Sequence, residues 1–452
     1  MLNVSLVSFY HRLEEYPSRY SLAAFRLAAH NLAIPDVRIR ILPVHMDESP
    51  EVTTKRLNDL STDLTGMTAY IWTTDKVQTI ANSELLANPR IVIGGPEVSA
   101  LDICSFPSGT QLVSGEGEDP LRRIILSILT GQEGDATTHK DVVFPSKYTP
   151  IYSEPFMPAL TEFEDTDKTF TWHDTSVGCA YNCGFCGHRI RQGVQARNLA
   201  ITEEEIKGIG RIGFNESAII DPILAFPLGR DKKILEWYTQ YAPDTKVTAY
   251  YRSEVFNEDT INLLASTNMQ EVIIGLQTLN PCVPSWLRSN DLTKAYNFLP
   301  QLSQNGIPFK LELIIGLPGD DYAGQRSSLQ EVIDVFKPNS LRAYPLTVIK
   351  NTKLAAIVNA DATGQQEWVH MDQRSRAIAS NSYSQTELNR MVIFASALTS
   401  LYNVLKPFEN VTFSTLERRV LDELGKQDPD TMHMFRRAND KEGRSYWKNE
   451  LK

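Results

Sequence analysis

The first 130 residues alternate between two hydrophobic periods. A short apolar run, NVSLVSF (3–9), precedes SLAAFRLAAHNLA (21–33), whose apolar positions recur at helical spacing; VRIRILPV (37–44) then alternates as a strand does. TAYIW (68–72) and RIVIGG (90–95) read as further buried strands. This order predicts an α/β domain with a mostly parallel, doubly wound, Rossmann-like sheet, in which ligands sit outside the carboxyl ends of the strands. Two glycine-bearing strand exits, IVIGGPEVS (91–99) and LVSGEGEDP (112–120), would let backbone approach a ligand there. A tight turn is the plainer explanation of either pair alone.

From 131 to 168 the periodicity lapses. Four prolines (Pro145, Pro150, Pro155, Pro158) mark a linker between a domain at 1–130 and a second at 169–354. There the β/α alternation resumes, with strands expected at FTWHDTSV (170–177), ESAIID (216–221), KVTAYY (246–251), EVIIGL (271–276), FKLELIIGL (309–317) and SLRAYPL (340–346). Helical spacing in DKKILEWYTQYA (231–242), EDTINLLAST (258–267), YNFLPQLSQNG (296–306) and SLQEVIDVF (328–336) separates them. Six such units predict a partial (β/α)6 barrel with its active site at the carboxyl ends of the strands. The stretch 355–452 reads as helical, with NRMVIFASALTSLYNVL (389–405) a buried helix and LERRVLDELGKQD (416–428) an amphipathic one.

Composition narrows the function. The chain has 452 residues, 42% hydrophobic and 22% charged, which fits a globular protein of two or three domains. Its formal net charge is -10 and its basic residues are scattered, so the footprint of a protein that grips a phosphate backbone is missing, and nucleic acid is not an expected partner. No signal-peptide pattern opens the sequence and no stretch reaches about 18 apolar residues; a cytoplasmic protein off the membrane is the expectation. Cysteine usage is more telling. Of five cysteines, Cys104 and Cys282 stand apart, whereas Cys179, Cys183 and Cys186 fall within eight positions of SVGCAYNCGFCGH (176–188). An odd count so clustered points to metal rather than to a disulfide framework.

The spacing C-x3-C-x2-C offers three thiolates. Three can hold three corners of a cubane [4Fe-4S] cluster, leaving one iron open, and an open coordination site is what separates a catalytic metal centre from a structural one. The alternative is a structural zinc with His188 as fourth ligand, but two residues from Cys186 is tighter than the usual spacing. Phe185 between the last two cysteines suits packing beside a cluster, as it suits any core.

CAYNCGFC resembles the signature of the radical S-adenosylmethionine (SAM) superfamily, in which the open iron chelates SAM. The likeness continues in IIDPIL, YYRSE, IIGLQTLN, LELIIGLPGD and AYPLTVIKNTKL, which follow successive strands in the family's order. It implies that Asp221 meets the SAM amino group and Arg252 its carboxylate, that Glu254 and Gln277 face SAM or substrate, that Ile314 and Gly316 lie on the adenine side, and that Leu346 to Val348 offer backbone to adenine. A barrel-end ion pair is the plain alternative for Asp221 and Arg252. Two departures accompany the match: no Gly-Gly-Glu run follows the second strand, and Val177 stands where close relatives often carry arginine.

The first domain resembles the cobalamin-binding domain of the B12-dependent radical SAM enzymes. AYIWTTDKV (69–77), IVIGGPEVS and SGEGED (114–119) carry that likeness, which implies corrin contacts from Trp72, Thr73, Thr74, Gly94, Gly95, Glu97, Gly115 and Glu116. Trp72 is equally well read as a core aromatic. The DxHxxG run that supplies a lower cobalt ligand in many B12 proteins is absent, and His11, His30 and His45 read as surface or packing residues.

The family likeness implies both cofactors in one cavity and methyl transfer to an unactivated carbon. One SAM would methylate cob(I)alamin, a second would yield a 5′-deoxyadenosyl radical, and the substrate radical so formed would take the methyl group. It also implies an electron donor such as flavodoxin or ferredoxin, and a small-molecule or peptide substrate. The alternatives are a radical SAM enzyme that cyclises, rearranges or epimerises, and a cobalamin- or metal-binding module without turnover. Cys282 as a radical partner is weighed against a passive thiol, the plainer reading.

Overall fold

A computed structural model describes residues 1–11, 21–88, 90–98, 101–131, 169–190, 193–360, 369–371, 375–407 and 410–425. The expected linker, apart from Gly131, lies outside the described residues, as does the end of the chain from 426. The protein divides into two compact units, one of residues 1–173, 197–218 and 240–245, the other of residues 174–196, 219–239 and 246–452.

The first unit is built on a five-stranded parallel sheet. Its strands are β1 (Leu2–Tyr10), β2 (Val37–His45), β3 (Leu64–Thr68), β4 (Ile91–Gly94) and β5 (Gln111–Leu112), in the order β2-β1-β3-β4-β5. That order puts the topological switch point, where doubly wound sheets take ligands, between β1 and β3. Val7, Val44, Met67 and Ile93 are buried in the core, as befits strands covered on both faces. Helices α1 (Leu22–Asn31), α2 (Pro50–Asp59), α3 (Thr74–Ala81) and α4 (Glu118–Thr130) lie in the same unit. Ser21 and Ser49 cap α1 and α2, each side-chain oxygen accepting a backbone N–H of the first turn. TAYIW is not the strand its composition predicts: β3 ends at Thr68, and the chain turns where the Thr73 hydroxyl donates to the Thr68 carbonyl and accepts from the Tyr70 N–H, both at 2.8 Å. A threonine closing a turn on its own backbone overrides the β preference of Tyr, Ile and Trp.

A charged triad is buried in the same unit. Arg26 of α1 grips Glu205 with both arms, Nη1 at 2.5 Å and Nη2 at 3.3 Å, and Nε2 of His173 lies 3.1 Å from the same carboxylate. Glu205 sits on α5 (Leu199–Ile212) and His173 ends β6 (Phe170–His173); both side chains are fully buried. Burial alone would push the Glu205 carboxyl up, but the Arg26 charge and the His173 hydrogen bond outweigh it and hold the group well below the usual carboxylate range.

The second sheet holds the six expected strands, and it stays open. Its order is β13-β12-β11-β10-β9-β6, with β9 (Glu216–Ile219), β10 (Lys246–Tyr251), β11 (Met269–Gln277), β12 (Phe309–Ile315) and β13 (Ser340–Pro345); β10 to β13 pair in parallel. FTWHDTSV divides in two: after β6 the chain forms β7 (Ser176–Cys179), which pairs antiparallel with β8 (Gly193–Ala196) in a separate hairpin. The cysteine run therefore leaves from that hairpin, not from a sheet strand. Four of the helices match expectation, as α6 (Arg230–Tyr241), α7 (Glu258–Ser266), α8 (Leu292–Gln304) and α9 (Tyr322–Glu331), the last running on as a π turn over Val332–Phe336. Beyond them come α10 (Lys353–Ala360), a small hairpin of β14 (Val369–Met371) and β15 (Ala377–Ser380), then α11 (Gln385–Leu405) and α12 (Phe413–Gly425). α11 is buried as predicted, through Phe394, Leu398 and Leu401. Among the described residues no helix is long and apolar enough to cross a membrane.

Past β12 lies a carboxyl that burial destabilises. Asp320 is buried; its Oδ1 accepts from Asn280 Nδ2 at 2.7 Å and from the Asp321 N–H at 3.0 Å, yet desolvation pushes its pKa up to about 6. A raised folded value favours the protonated carboxyl, so stability is lost as pH rises from about 4, the unfolded value, through about 6. Asp320→Asn, which keeps the acceptor oxygen, should raise stability at pH 7.5 by about 1–3 kcal/mol and flatten that slope, as urea unfolding at pH 4, 6 and 7.5 would show.

Candidate functional site

The cysteine loop is held by its backbone. Cys179 is the last residue of β7, the Tyr181 N–H donates to its Sγ at 3.4 Å, and the Cys186 N–H donates to the Cys183 carbonyl at 3.1 Å. Gly184 is the fixed point between them. Its N–H donates to the carbonyls of Trp286 and Leu287 at 3.0 and 3.1 Å, and its own carbonyl accepts from Leu354 N–H at 2.9 Å. A Cβ there would meet Trp286 Cε3 at 2.6 Å, so only glycine lets the loop lie flat on that indole. All three thiols remain partly accessible, and burial pushes those of Cys179 and Cys186 up.

Asp221 lies beneath this loop. It is completely buried, and its carboxylate accepts three hydrogen bonds of 2.6 Å, from the Thr175 N–H, the Thr175 hydroxyl and the Ser176 hydroxyl. Arg230 Nη2 donates to the Thr175 carbonyl from the other side, at 3.2 Å. A carboxylate bound to the residues just before Cys179 positions the loop.

Arg252 reaches the cysteine loop, and Glu254 binds Arg252. Nη1 of Arg252 lies 3.4 Å from Cys183 Sγ, Nε and Nη2 bind the Glu254 carboxylate at 2.9 and 2.5 Å, and the guanidinium lies over the Tyr181 ring at 3.8 Å. Nη2 also donates to the Ser289 carbonyl at 2.6 Å. A second guanidinium, which the sequence did not single out, converges on the same sulfur. Arg288, buried in the loop after β11, puts Nη1 3.4 Å from Cys183 Sγ, Nε 2.8 Å from Asn290 Oδ1, and Nη2 against the Gly275 carbonyl. Its only signal is an arginine placed directly after Trp286 and Leu287, a position no periodicity explains.

Two fixed cations on one sulfur suit an anionic thiolate centre. Among the described residues no three His, Cys, Asp or Glu side chains gather as a single ion requires. Each thiolate of a cubane cluster holds a different iron, which fits partly open thiols spread along a clamped loop.

The remaining SAM-side positions divide. Gln277, at a bulge of β11, is left-handed with φ +71° and half-buried, and Ile314 is half-buried on β12. Gly316 takes φ +82° and its carbonyl accepts the Tyr383 hydroxyl at 2.5 Å. Of the backbone expected to serve adenine, Leu346 donates to Ile315 and accepts from Ala377, each at 2.9 Å, and the Val348 N–H donates to Ser375 at 2.8 Å. The Leu346 amide is thus paired with β12, and its carbonyl and the Val348 amide with Ala377 and Ser375.

In the first unit the predicted cofactor residues gather at the ends of β3, β4 and β5. Thr73 is buried and its hydroxyl is spent on the turn; Thr74 Oγ1 donates to the Tyr70 carbonyl at 2.8 Å, so both threonines shape the turn. Trp72 is no core residue. It is 56% exposed and stacks on Tyr70 at 4.7 Å with 1° between the ring planes, beside Ile71, also exposed. Gly95, at φ +106°, owes its identity to the fold, since a Cβ would sit 2.6 Å from the Ala69 carbonyl. Gly94 accepts the Ala69 N–H at 2.8 Å, Glu97 donates its N–H to the Ala69 carbonyl at 3.2 Å, and Gly115 (φ +94°) and Glu116 are half-buried beyond β5. His30 pairs with Asp119 at 2.9 Å, and His45 packs edge-on to Tyr10. A flat, exposed aromatic and apolar surface next to glycines is a physically suitable rest for a planar macrocycle.

No family model matches the chain. An uncharacterised methyltransferase of Pyrococcus horikoshii is 22% identical over 249 residues, covering 50% of this chain and 54% of its own, so the chain spans about half the length of the curated relative it matches. Among solved structures, the chain is similar to TsrM of Kitasatospora setae, a radical SAM methyltransferase with cobalamin and a [4Fe-4S] cluster bound (14% identity, TM-score 0.66, 97% of this chain and 100% of that one). A second TsrM structure, with tryptophan substrate and a SAM analogue, gives a TM-score of 0.63 at 14% identity over 82% and 79% of the two chains. OxsB, a cobalamin-dependent SAM radical enzyme with aqua-cobalamin and SAM bound, gives 0.69 at 15% identity over 100% of this chain and 75% of its own. The protein thus has the fold of B12-dependent radical SAM enzymes.

Proposed function

We propose that the chain is a cobalamin-dependent radical SAM enzyme that methylates an unactivated carbon of a small natural-product or peptide substrate. The observation that supports this best is the clamped cysteine loop with Arg252 and Arg288 both on Cys183 Sγ. Cys179, Cys183 and Cys186 would hold the cluster, and the Trp72 face with Gly94 and Gly115 would hold cobalamin; when bound, these groups supply reductive SAM cleavage and a methyl carrier.

The residues' own work is placement and charge. Asp221 fixes the loop from below through Thr175 and Ser176, and Gly184 fixes it against Trp286. Arg252 and Arg288 offset the negative charge that three thiolates gather, and Glu254 holds Arg252 in line. Arg252 would exchange that carboxylate for the carboxylate of SAM, a swap of like partners. A reduced flavodoxin- or ferredoxin-type protein would supply electrons. Incubating the reconstituted enzyme with candidate substrates, reductant and SAM carrying a trideuterated methyl group tests the reading: a product heavier by a labelled methyl supports it, whereas 5′-deoxyadenosine formed with an unmethylated, rearranged product would replace methylation with another radical outcome.

A further inference from the structure

Charge along the chain is uneven where three segments meet. Acidic residues outnumber basic ones, 55 against 45, yet residues 179–190, 281–290 and 346–360 contain no aspartate or glutamate. The fold brings these three segments together at the cysteine loop. The Gly184 N–H donates to the carbonyls of Trp286 and Leu287, its own carbonyl accepts the Leu354 N–H at 2.9 Å, and a Cβ on Gly187 would touch Ile349 Cγ2 at 3.5 Å. Residues 349–354 therefore meet the loop both before and after Cys186.

What this junction offers to solvent is basic and aromatic. Lys350 and Lys353 are exposed and form no ion pair among the described residues. Lys353 Nζ stands 4.9 Å from the centroid of the Trp286 ring, which is half-buried. Lys353 also opens α10, whose positive end adds to the same field, and the Thr352 hydroxyl caps that end by accepting the Ala355 N–H at 3.2 Å. The ring meets the residue next to Cys183 through backbone, while Cys183 Sγ is left to Arg252 and Arg288. That arrangement suits passing charge to the loop rather than holding a substrate at the sulfur.

We propose that Trp286, Lys350 and Lys353 form the docking face for an acidic one-electron carrier protein that reduces the cluster. This rests on the reading of Cys179, Cys183 and Cys186 as cluster ligands and locates the partner that such a cluster requires. The step moves a single electron: the carrier is oxidised by one, the cluster is reduced by one, and no bond forms or breaks. Complementary charge steers encounters of this kind and raises their rate by about 10- to 1,000-fold at low salt. Electron-transfer interfaces are also small, which a patch of two lysines around one aromatic ring fits.

Anaerobic stopped-flow absorbance should follow bleaching of the cluster in the full chain, reconstituted with iron and sulfide, on mixing with a reduced flavodoxin, a reduced ferredoxin or dithionite. At least one carrier should reduce the wild type at a rate that falls as salt rises. Lys350→Glu combined with Lys353→Glu should slow that carrier about 10-fold or more at low salt and flatten its salt dependence, with Lys353→Gln intermediate. Dithionite, too small to need a docking face, should reduce all variants alike. Equal slowing with dithionite, an unslowed carrier in the double variant, or a wild type that neither carrier reduces would each overturn the assignment. Sedimentation that falls from dimer to monomer in the double variant while the carrier rate holds would give the face to a second copy of the chain instead. Iron content and dithionite-driven SAM cleavage measured on the same wild-type samples report separately on the catalyst reading, so the two failures are distinguishable.

Discussion

Replacing Cys183 with alanine is expected to abolish iron retention and reductive SAM cleavage, whereas Arg288→Gln should retain iron and lose about 10–100-fold in cleavage rate. The two effects differ because the sulfur would be a direct ligand and the guanidinium would act through it. Arg288 is buried and fixed by Asn290 Oδ1 and the Gly275 carbonyl as well as by Cys183. Its replacement by a neutral amide therefore removes charge with limited loss of packing. Iron assay and 5′-deoxyadenosine release measured on both variants check the ordering; an R288Q protein as empty of iron as C183A would show that Arg288 builds the loop rather than tuning it.

Glu205→Ala is expected to destabilise the protein by about 3–5 kcal/mol, because it removes the carboxylate that the buried Arg26 guanidinium and His173 bind. The double variant Arg26→Met with Glu205→Met should lose much less, since apolar replacement of a whole buried pair is often close to neutral. The pH dependence has a definite sign. The folded carboxyl is held below its unfolded value, so its stabilisation is complete above about pH 4.3 and is lost as pH falls below it. Urea unfolding at pH 7 and pH 3.5 should show the gap between wild type and Glu205→Ala narrowing in acid; a gap that persists would place the energy in packing rather than in ionisation.

How much of this was legible in the sequence depends on whether a residue's role is set by its neighbours in sequence or in space. The six strands of the second sheet were readable because period and burial are local properties, and the three cysteines because spacing is. The three hydrogen bonds that Asp221 accepts were not legible, since their donors on Thr175 and Ser176 lie some 45 residues earlier in the chain. Arg288 was invisible for the same reason, lying 105 residues from the sulfur it approaches. In TAYIW the aromatic and β-branched residues spoke for a strand, and one hydroxyl, that of Thr73, decided for a turn. That turn is also what exposes Trp72, turning a residue equally readable as core into a stacked surface. Nothing local announces that Ser375 and Ala377 would return to pair with Val348 and Leu346.

The central claim is that this one chain binds both an iron–sulfur cluster and cobalamin. The most direct test is the visible absorption spectrum, with iron and cobalt assays, of the wild-type chain reconstituted anaerobically with iron, sulfide and hydroxocobalamin and then desalted. About four irons per chain, from three thiolates and one open site, together with about one retained cobalt, is the predicted result. Iron without cobalt after desalting would remove the methyl carrier and with it the methyltransferase reading, and a chain retaining neither metal would contradict the account as a whole.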